Sequence, residues 1–197
     1  MRIDKFISLN GSKAVGKSTL AASLSEAGYG TVVEFYRERY NFQKRFLNVF
    51  DPDIDVQAWK RHTALLFFGL AWHGHEKHTH GGVIFDHYYP DYLVQQLGSV
   101  KEIGALNELI ACYELPPLKE GFHFFIDADY ETYLARREQR IESNPHYRRD
   151  KSRVKKESFQ KRQRRYMELV DMGYLIRIDA NADKQTVFNA VRKHIDG

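Results

Sequence analysis

The stretch Phe6-Ile7-Ser8-Leu9-Asn10-Gly11-Ser12-Lys13-Ala14-Val15-Gly16-Lys17-Ser18-Thr19 decides how the rest of the chain is read. Phe6-Ile7-Ser8-Leu9 is a short apolar run with the look of a buried strand, and residues 17 to 27 have the pattern of a helix. Between them the residues match G-x-x-x-x-G-K-[ST] in full, in the strand-then-helix setting that the motif requires. The glycines let the backbone wrap around a phosphate with its N–H groups pointing inward. The start of the following helix adds partial positive charge. Gly11, Ser12, Lys13, Ala14, Val15, Gly16, Lys17, Ser18 and Thr19 are therefore predicted to cradle the phosphates of a nucleotide. Lys17 would reach the β- and γ-phosphates, and the Ser18 hydroxyl would ligate Mg²⁺.

Outward from this loop, short apolar runs alternate with helical stretches. Thr31-Val32-Val33-Glu34, Val83-Ile84-Phe85-Asp86, Phe122-His123-Phe124-Phe125-Ile126-Asp127 and Tyr174-Leu175-Ile176-Arg177-Ile178-Asp179 read as further strands. Helices are predicted over about 56–73, around Leu106, Ile110 and Tyr113, through a long basic zone interrupted near Asn144-Pro145, and over 184–195. Continuous apolar strands separated by helices predict a parallel sheet covered on both faces. With 197 residues and no repeat, linker or low-complexity tract, residues 1–197 read as one α/β domain.

Composition narrows the class. The chain is 43% hydrophobic and 28% charged, ordinary for a globular protein. Its longest apolar run, 64–72, is far below the roughly 20 residues that span a bilayer. No apolar signal core follows Met1, and Cys112 is the single cysteine, so a cytoplasmic protein without membrane partners is expected. The net charge of +4 is uneven. Residues 136–165 hold 13 of the 30 Lys and Arg against four acids, a local +9, while the remainder carries 17 bases and 22 acids. Such a block serves an anionic ligand or is a solvated helix face.

In an open α/β sheet, ligands bind beyond the carboxyl ends of the strands. Three predicted strands end in an acid there: Glu34, Asp86 and Asp127. Transfer of a phosphoryl group to a hydroxyl is helped by a base on the acceptor and by carboxylates around the magnesium ion. Glu34 is the candidate base and Asp86 the candidate for Mg²⁺. Acids also follow strands as turn formers, and Asp127 fits that role better. A GTPase would show an Asp-x-x-Gly switch and an Asn-Lys-x-Asp base reader, and a motor ATPase an acidic pair where this chain has Phe85-Asp86-His87. None of these is present.

Several segments in the right order resemble the thymidylate kinase and deoxynucleoside kinase group of P-loop kinases. Phe125-Ile126-Asp127-Ala128-Asp129-Tyr130-Glu131-Thr132-Tyr133-Leu134-Ala135-Arg136 resembles the strand and helix that lead into that group's lid. Phe159-Gln160-Lys161-Arg162-Gln163-Arg164-Arg165-Tyr166-Met167-Glu168-Leu169 is similar to the helix after the lid. Arg136 and Arg140, with Arg137 between, resemble lid arginines with a part in catalysis. Ile178-Asp179-Ala180-Asn181 resembles the last strand and the loop bordering the adenine, which places Asn181 at the cofactor. The resemblance covers most of the chain. It implies a five-stranded parallel sheet in the order 2-3-1-4-5, ATP as donor, and an arginine-rich lid at roughly 138–157.

The departures bear on the acceptor. Thymidylate kinases carry an Arg-Glu-Pro-Gly-Gly type stretch after strand two, where this chain has Glu34-Phe35-Tyr36-Arg37-Glu38-Arg39. A glutamate there is closer to the deoxynucleoside kinases, in which it is the base for the 5′-hydroxyl. Both groups follow strand three with an acid–arginine pair, and here the pair is Asp86-His87. A histidine in place of arginine removes a bidentate ligand for phosphate or hydroxyl. By analogy, Glu34, Arg37, Gln57, Arg61, Asp86 and His87 line the acceptor side, while Phe35, Tyr36, Trp59, Phe67 and Phe68 read mainly as core. His73-Gly74-His75-Glu76-Lys77-His78-Thr79-His80 matches no standard zinc spacing and reads as a solvent-facing helix end.

The expected activity is transfer of the γ-phosphate of Mg-ATP to a (deoxy)nucleoside or nucleoside monophosphate. An acceptor hydroxyl on a nucleic acid or another small molecule is the alternative, and a non-catalytic nucleotide switch the second. The family often dimerises through helices, so a homodimer is also an expectation.

Overall fold

The computed structural model describes residues 6–33, 82–92, 94, 103, 120–143 and 155–197. Strand β1 (Phe6–Asn10) is buried at all five positions, as a central strand flanked on both sides must be. It pairs in parallel with β3 (Val83–Asp86) and with β4 (Phe122–Asp127). The short β2 (Thr31–Val33) and β5 (Ile176–Asp179) close the two edges, both more exposed than the centre. The order is β2-β3-β1-β4-β5 and every pairing is parallel.

Alternation along the strands divides the core. Ile7, Leu9, Ile84, Phe124, Ile126 and Ile178 point to one face. Leu20, Ala21 and Leu24 of α1 (Lys17–Glu26) cover them, together with Val187, Val191 and Ile195 of α5 (Lys184–Asp196). Asp183 caps α5 by accepting from the backbone N–H groups of Gln185 and Thr186.

The opposite face carries Phe6, Phe85 and Phe125. There α4 (Lys156–Asp171) lays Tyr166 flat on Phe125, with ring centroids 4.7 Å apart. Helix α3 (Tyr130–Ser143) is held to α4 by Tyr130, Tyr133 and Phe159, the last two with centroids 4.9 Å apart. A single turn, α2 (Tyr89–Tyr92), follows β3.

Two strand ends differ from the sequence expectation. β1 runs one residue further, because Asn10 pairs with Phe125 of β4. β5 starts at Ile176 rather than Tyr174. The Tyr174 N–H is taken by Leu169 O at the end of α4, where Gly173 turns the chain at φ 76°, so it is lost to the sheet. The α4-facing side of β1 and β4 also holds polar groups. Ser8 Oγ bonds His123 Nδ1 at 2.8 Å and accepts from Asn10 Nδ2 at 2.9 Å. Burial lowers the His123 pKa to about 4, so the ring is neutral.

The predicted helices 56–73 and around Leu106, the His73–His80 run and the centre of the expected lid, 144–154, lie outside the described residues. Among the described residues, no helix is long and apolar enough to cross a membrane.

Candidate functional site

At the carboxyl end of β1 the chain leaves the sheet through Gly11, whose φ is 140°. A Cβ at this position would stand 2.7 Å from Ile126 O in β4, so glycine is required for both torsion and space. Gly16 has φ 105° and forms the N-cap of α1, but a Cβ there would meet nothing within 4 Å. That side of the loop faces open space, where the N–H groups at the helix start are available to an anion. Val15 is 2% exposed and anchors the loop in the α1-side core.

Lys17 is buried, and its Nζ donates to Gly11 O at 2.8 Å and Ser12 O at 2.9 Å. Burial lowers its pKa, and the charges of Lys13 and Arg140 push the same way, while Asp91 and Asp86 oppose them. Arg136, also on α3, donates to Val15 O at 2.9 Å and Ala182 O at 3.2 Å. It therefore links the phosphate loop to the loop after β5. Asn181 braces the same region: its Oδ1 accepts from Asp129 N–H, and its own amide groups donate to Asp179.

Across the β1–β3 seam, Ser18 Oγ donates to Asp86 Oδ2 at 2.5 Å. The other Asp86 oxygen is buried with no hydrogen-bond partner among the described residues. A hydroxyl and a carboxylate side by side, with one buried oxygen left over, form a hard-oxygen donor set. It suits Mg²⁺, which takes one or two protein ligands and completes its shell with phosphate and water. Among the described residues no group of three or more His, Cys, Asp or Glu forms a metal cluster.

His87 follows directly, with φ 88°, a left-handed conformation rarely adopted by residues other than glycine. Its backbone N–H donates to Leu9 O at 3.1 Å. Its Nδ1 is hydrogen-bonded to Asp91 Oδ2, and its Nε2 lies 3.8 Å from Asp86 Oδ1. Asp91 is 4% exposed, and its Oδ1 accepts from Gly11 N–H at 2.7 Å and from Tyr166 Oη at 2.5 Å. Burial by itself would raise the Asp91 pKa. The charges of His87 and Lys17 and the bonds from His87 and Tyr166 outweigh it, and the carboxyl stays below its usual value.

The structure therefore gathers Lys17, Ser18, Asp86, His87 and Arg136 around one loop, while Asn181 sits in the loop after β5 and bonds Asp129 and Asp179. Glu34, Arg37, Gln57 and Arg61 lie outside the described residues. Asp127 stands apart from the loop. It accepts from Gln163 Nε2 at 2.7 Å and pairs with Arg177 Nε at 2.8 Å, a contact that ties β4 to α4 and β5. Sequence reading missed Asp91 and Tyr166. Asp91 follows Pro90 and looks like a turn former, and Tyr166 looks like a core aromatic. The one available signal was the spacing of four residues from His87 to Asp91.

No family model matches the chain, and no curated protein does. Solved structures do. A deoxyadenosine kinase from M. mycoides with products dCMP and a flexible dCDP bound superposes with a TM-score of 0.58 at 17% identity, over 97% of this chain and 98% of that one. The same kinase with bound dATP gives 0.56 at 15% identity, over 98% and 100%. With bound dCTP it gives 0.54 at 15%, over 97% and 98%. The likeness establishes the fold. This chain has the parallel P-loop architecture that the deoxyadenosine kinase structures share, along nearly its whole length.

Proposed function

We propose that the protein is an ATP-dependent kinase of the deoxynucleoside kinase type, transferring the γ-phosphate of Mg-ATP to a (deoxy)nucleoside or nucleoside monophosphate. The observation that carries this reading is the convergence of Lys17, the Ser18–Asp86 pair and Arg136 on one glycine-bounded loop. A structural likeness to deoxyadenosine kinases over 97% of the chain supports it. Lys17 neutralises the β- and γ-phosphates. Ser18 and Asp86 would hold Mg²⁺, which supplies charge neutralisation between the phosphates. Arg136 keeps the phosphate loop against the loop that borders the base, and Arg140 brings a second positive charge toward the γ-phosphate.

On the acceptor side, Glu34 is the proposed base, and Arg37, Gln57, Arg61 and His87 the proposed contacts. Residues 138–157 are the proposed lid, whose closure would exclude water from the transfer. The proposed compartment is the cytosol, where Cys112 stays reduced, and the proposed assembly a homodimer.

The test is incubation with γ-labelled ATP and Mg²⁺ against nucleosides, nucleoside monophosphates and DNA. Label on a free nucleoside or nucleotide supports the proposal. Label on polymer alone moves the acceptor to nucleic acid, with the basic block of 136–165 gripping the strand. ATP binding with no labelled acceptor would leave a nucleotide switch.

A further inference from the structure

Asp91 touches three parts of the molecule that the sequence keeps far apart. The phosphate loop reaches it through Gly11 N–H at 2.7 Å, 80 residues away, and α4 reaches it through Tyr166 Oη at 2.5 Å, 75 residues away. The third contact is His87 Nδ1, on the turn after β3. Gly11 is the first residue of the loop and is itself confined by Ile126 O, so its N–H has a defined direction. His87 is held in a left-handed backbone conformation, which persists only where the surroundings determine it. Those surroundings include the Leu9 carbonyl and the Asp91 carboxylate.

A carboxylate is acceptor-only, so the ring nitrogen facing it must carry the proton. Nδ1–H therefore donates to Asp91. Nε2 lies on the Asp86 side of the ring, 3.8 Å from Asp86 Oδ1.

We propose that Asp91 is the positioning residue of the transfer site. One carboxylate fixes the entrance of the donor loop and also the orientation and tautomer of His87, so donor and acceptor sides share one register. The inference rests on the kinase reading for its functional meaning. Its geometric content stands without it. Where an arginine would need no such support, a histidine with two unequal nitrogens does, because only the tautomer set by its partner presents the correct nitrogen to the acceptor.

The decisive measurement is the tautomer of His87, read from long-range ¹H–¹⁵N correlation spectra of the full chain in mildly alkaline buffer. The wild-type ring is expected as the Nδ1–H form. A ring protonated at Nε2 overturns the proposal, whatever the enzyme does. Asp91→Asn gives the second arm. The amide oxygen can still accept from Gly11 N–H and Tyr166 Oη, but its NH₂ now faces Nδ1, and the proton is expected to move to Nε2. Turnover with the acceptor should fall by about 10- to 100-fold, the usual loss when a residue that orients a site ligand is changed. The KM for ATP should stay within about threefold, since a factor of three is under 1 kcal/mol.

His87→Gln should lose a similar factor, and the double variant should be little worse than either single one. Unchanged acceptor kinetics in Asp91→Asn, or additive losses in the double variant, would sink the positioning role. If no acceptor is labelled by the wild-type protein, the kinase reading fails and the functional role of Asp91 goes with it. The tautomer result then still reports whether the local geometry is correct.

Discussion

The Ser18 hydroxyl donates to Asp86 Oδ2 at 2.5 Å, joining the first turn of α1 to the end of β3 while the second Asp86 oxygen stays buried and unbonded among the described residues. Neither residue needs the other to hold the fold together, since the seam is already zipped by the pairing of Leu9 with Asp86. The contact brings two oxygen donors to one point beside the phosphate loop. Removing either donor should therefore act on the metal first. Asp86→Asn is expected to raise the Mg²⁺ concentration needed for half-maximal transfer by about 10- to 100-fold, with a small change in melting temperature. EDTA should stop transfer completely and excess Mg²⁺ restore it. A magnesium titration of activity checks both, and an unchanged half-saturation point would remove Asp86 from the metal site.

Lys17 combines a proposed catalytic charge with an unfavourable burial. Lys17→Met should lower transfer by at least about 10²-fold, the loss found when a preorganised transition-state donor is deleted. It should also alter the pH dependence of stability. The folded pKa lies below the usual 10.5, so the unfolded chain binds more protons in the window between the lowered value and 10.5. Stability contributed by this residue therefore rises with pH through that window and is lowest below it. Urea titrations of the wild type and Lys17→Met across the alkaline range should show this rise in the wild type alone.

His123 gives the acidic counterpart. Its folded pKa of about 4 lies under the usual 6.5. The unfolded chain takes up a proton first as pH falls, so stability is full above 6.5 and is lost as pH drops toward 4. The whole loss is roughly 3 kcal/mol, from about 1.4 kcal/mol per pKa unit. Calorimetry of His123→Gln between these limits should show a flatter decline than the wild type. Parallel curves would mean that the ring already meets solvent.

The two loop glycines should fail differently. Gly11→Ala drives a Cβ to 2.7 Å from Ile126 O, in the backbone of β4, and should destabilise the fold by about 3 kcal/mol or more, in the range of strained or overpacked sites. Gly16→Ala meets no atom within 4 Å. Only its left-handed torsion is penalised, at about 1–2 kcal/mol. Its larger effect should be on ATP binding, because the methyl group occupies the open side of the loop. Melting curves with and without ATP separate the two.

Arg136 should behave as a donor-site clamp. Arg136→Ala loses the bonds to Val15 O and Ala182 O and is expected to raise the KM for ATP by about tenfold, close to the 1.4 kcal/mol equivalent of one charged hydrogen bond. The KM for the acceptor should change little. A loss confined to kcat would instead place Arg136 at the transition state.

What the chain determines by itself is local. The run Phe6-Ile7-Ser8-Leu9, the glycines at 11 and 16 and the Lys17-Ser18 pair specify strand, loop and helix through contacts a few residues apart. The apolar continuity of Val83–Asp86 and Phe122–Asp127 signals a sheet covered on both faces. The strand order was legible only through the family resemblance. Register and side-chain partnerships required the folded chain. Asp91 reads as a turn residue and Tyr166 as a core aromatic until the order β3-β1-β4 brings residues 11, 91 and 166 together. Asp127 shows the reverse case, a strand-end acid that tertiary packing assigns to Arg177 and Gln163. Sequence periodicity reports which face a residue takes, because that depends on its neighbours in the chain. Its hydrogen-bond partner depends on which distant strand lies alongside, and only the assembled sheet decides that.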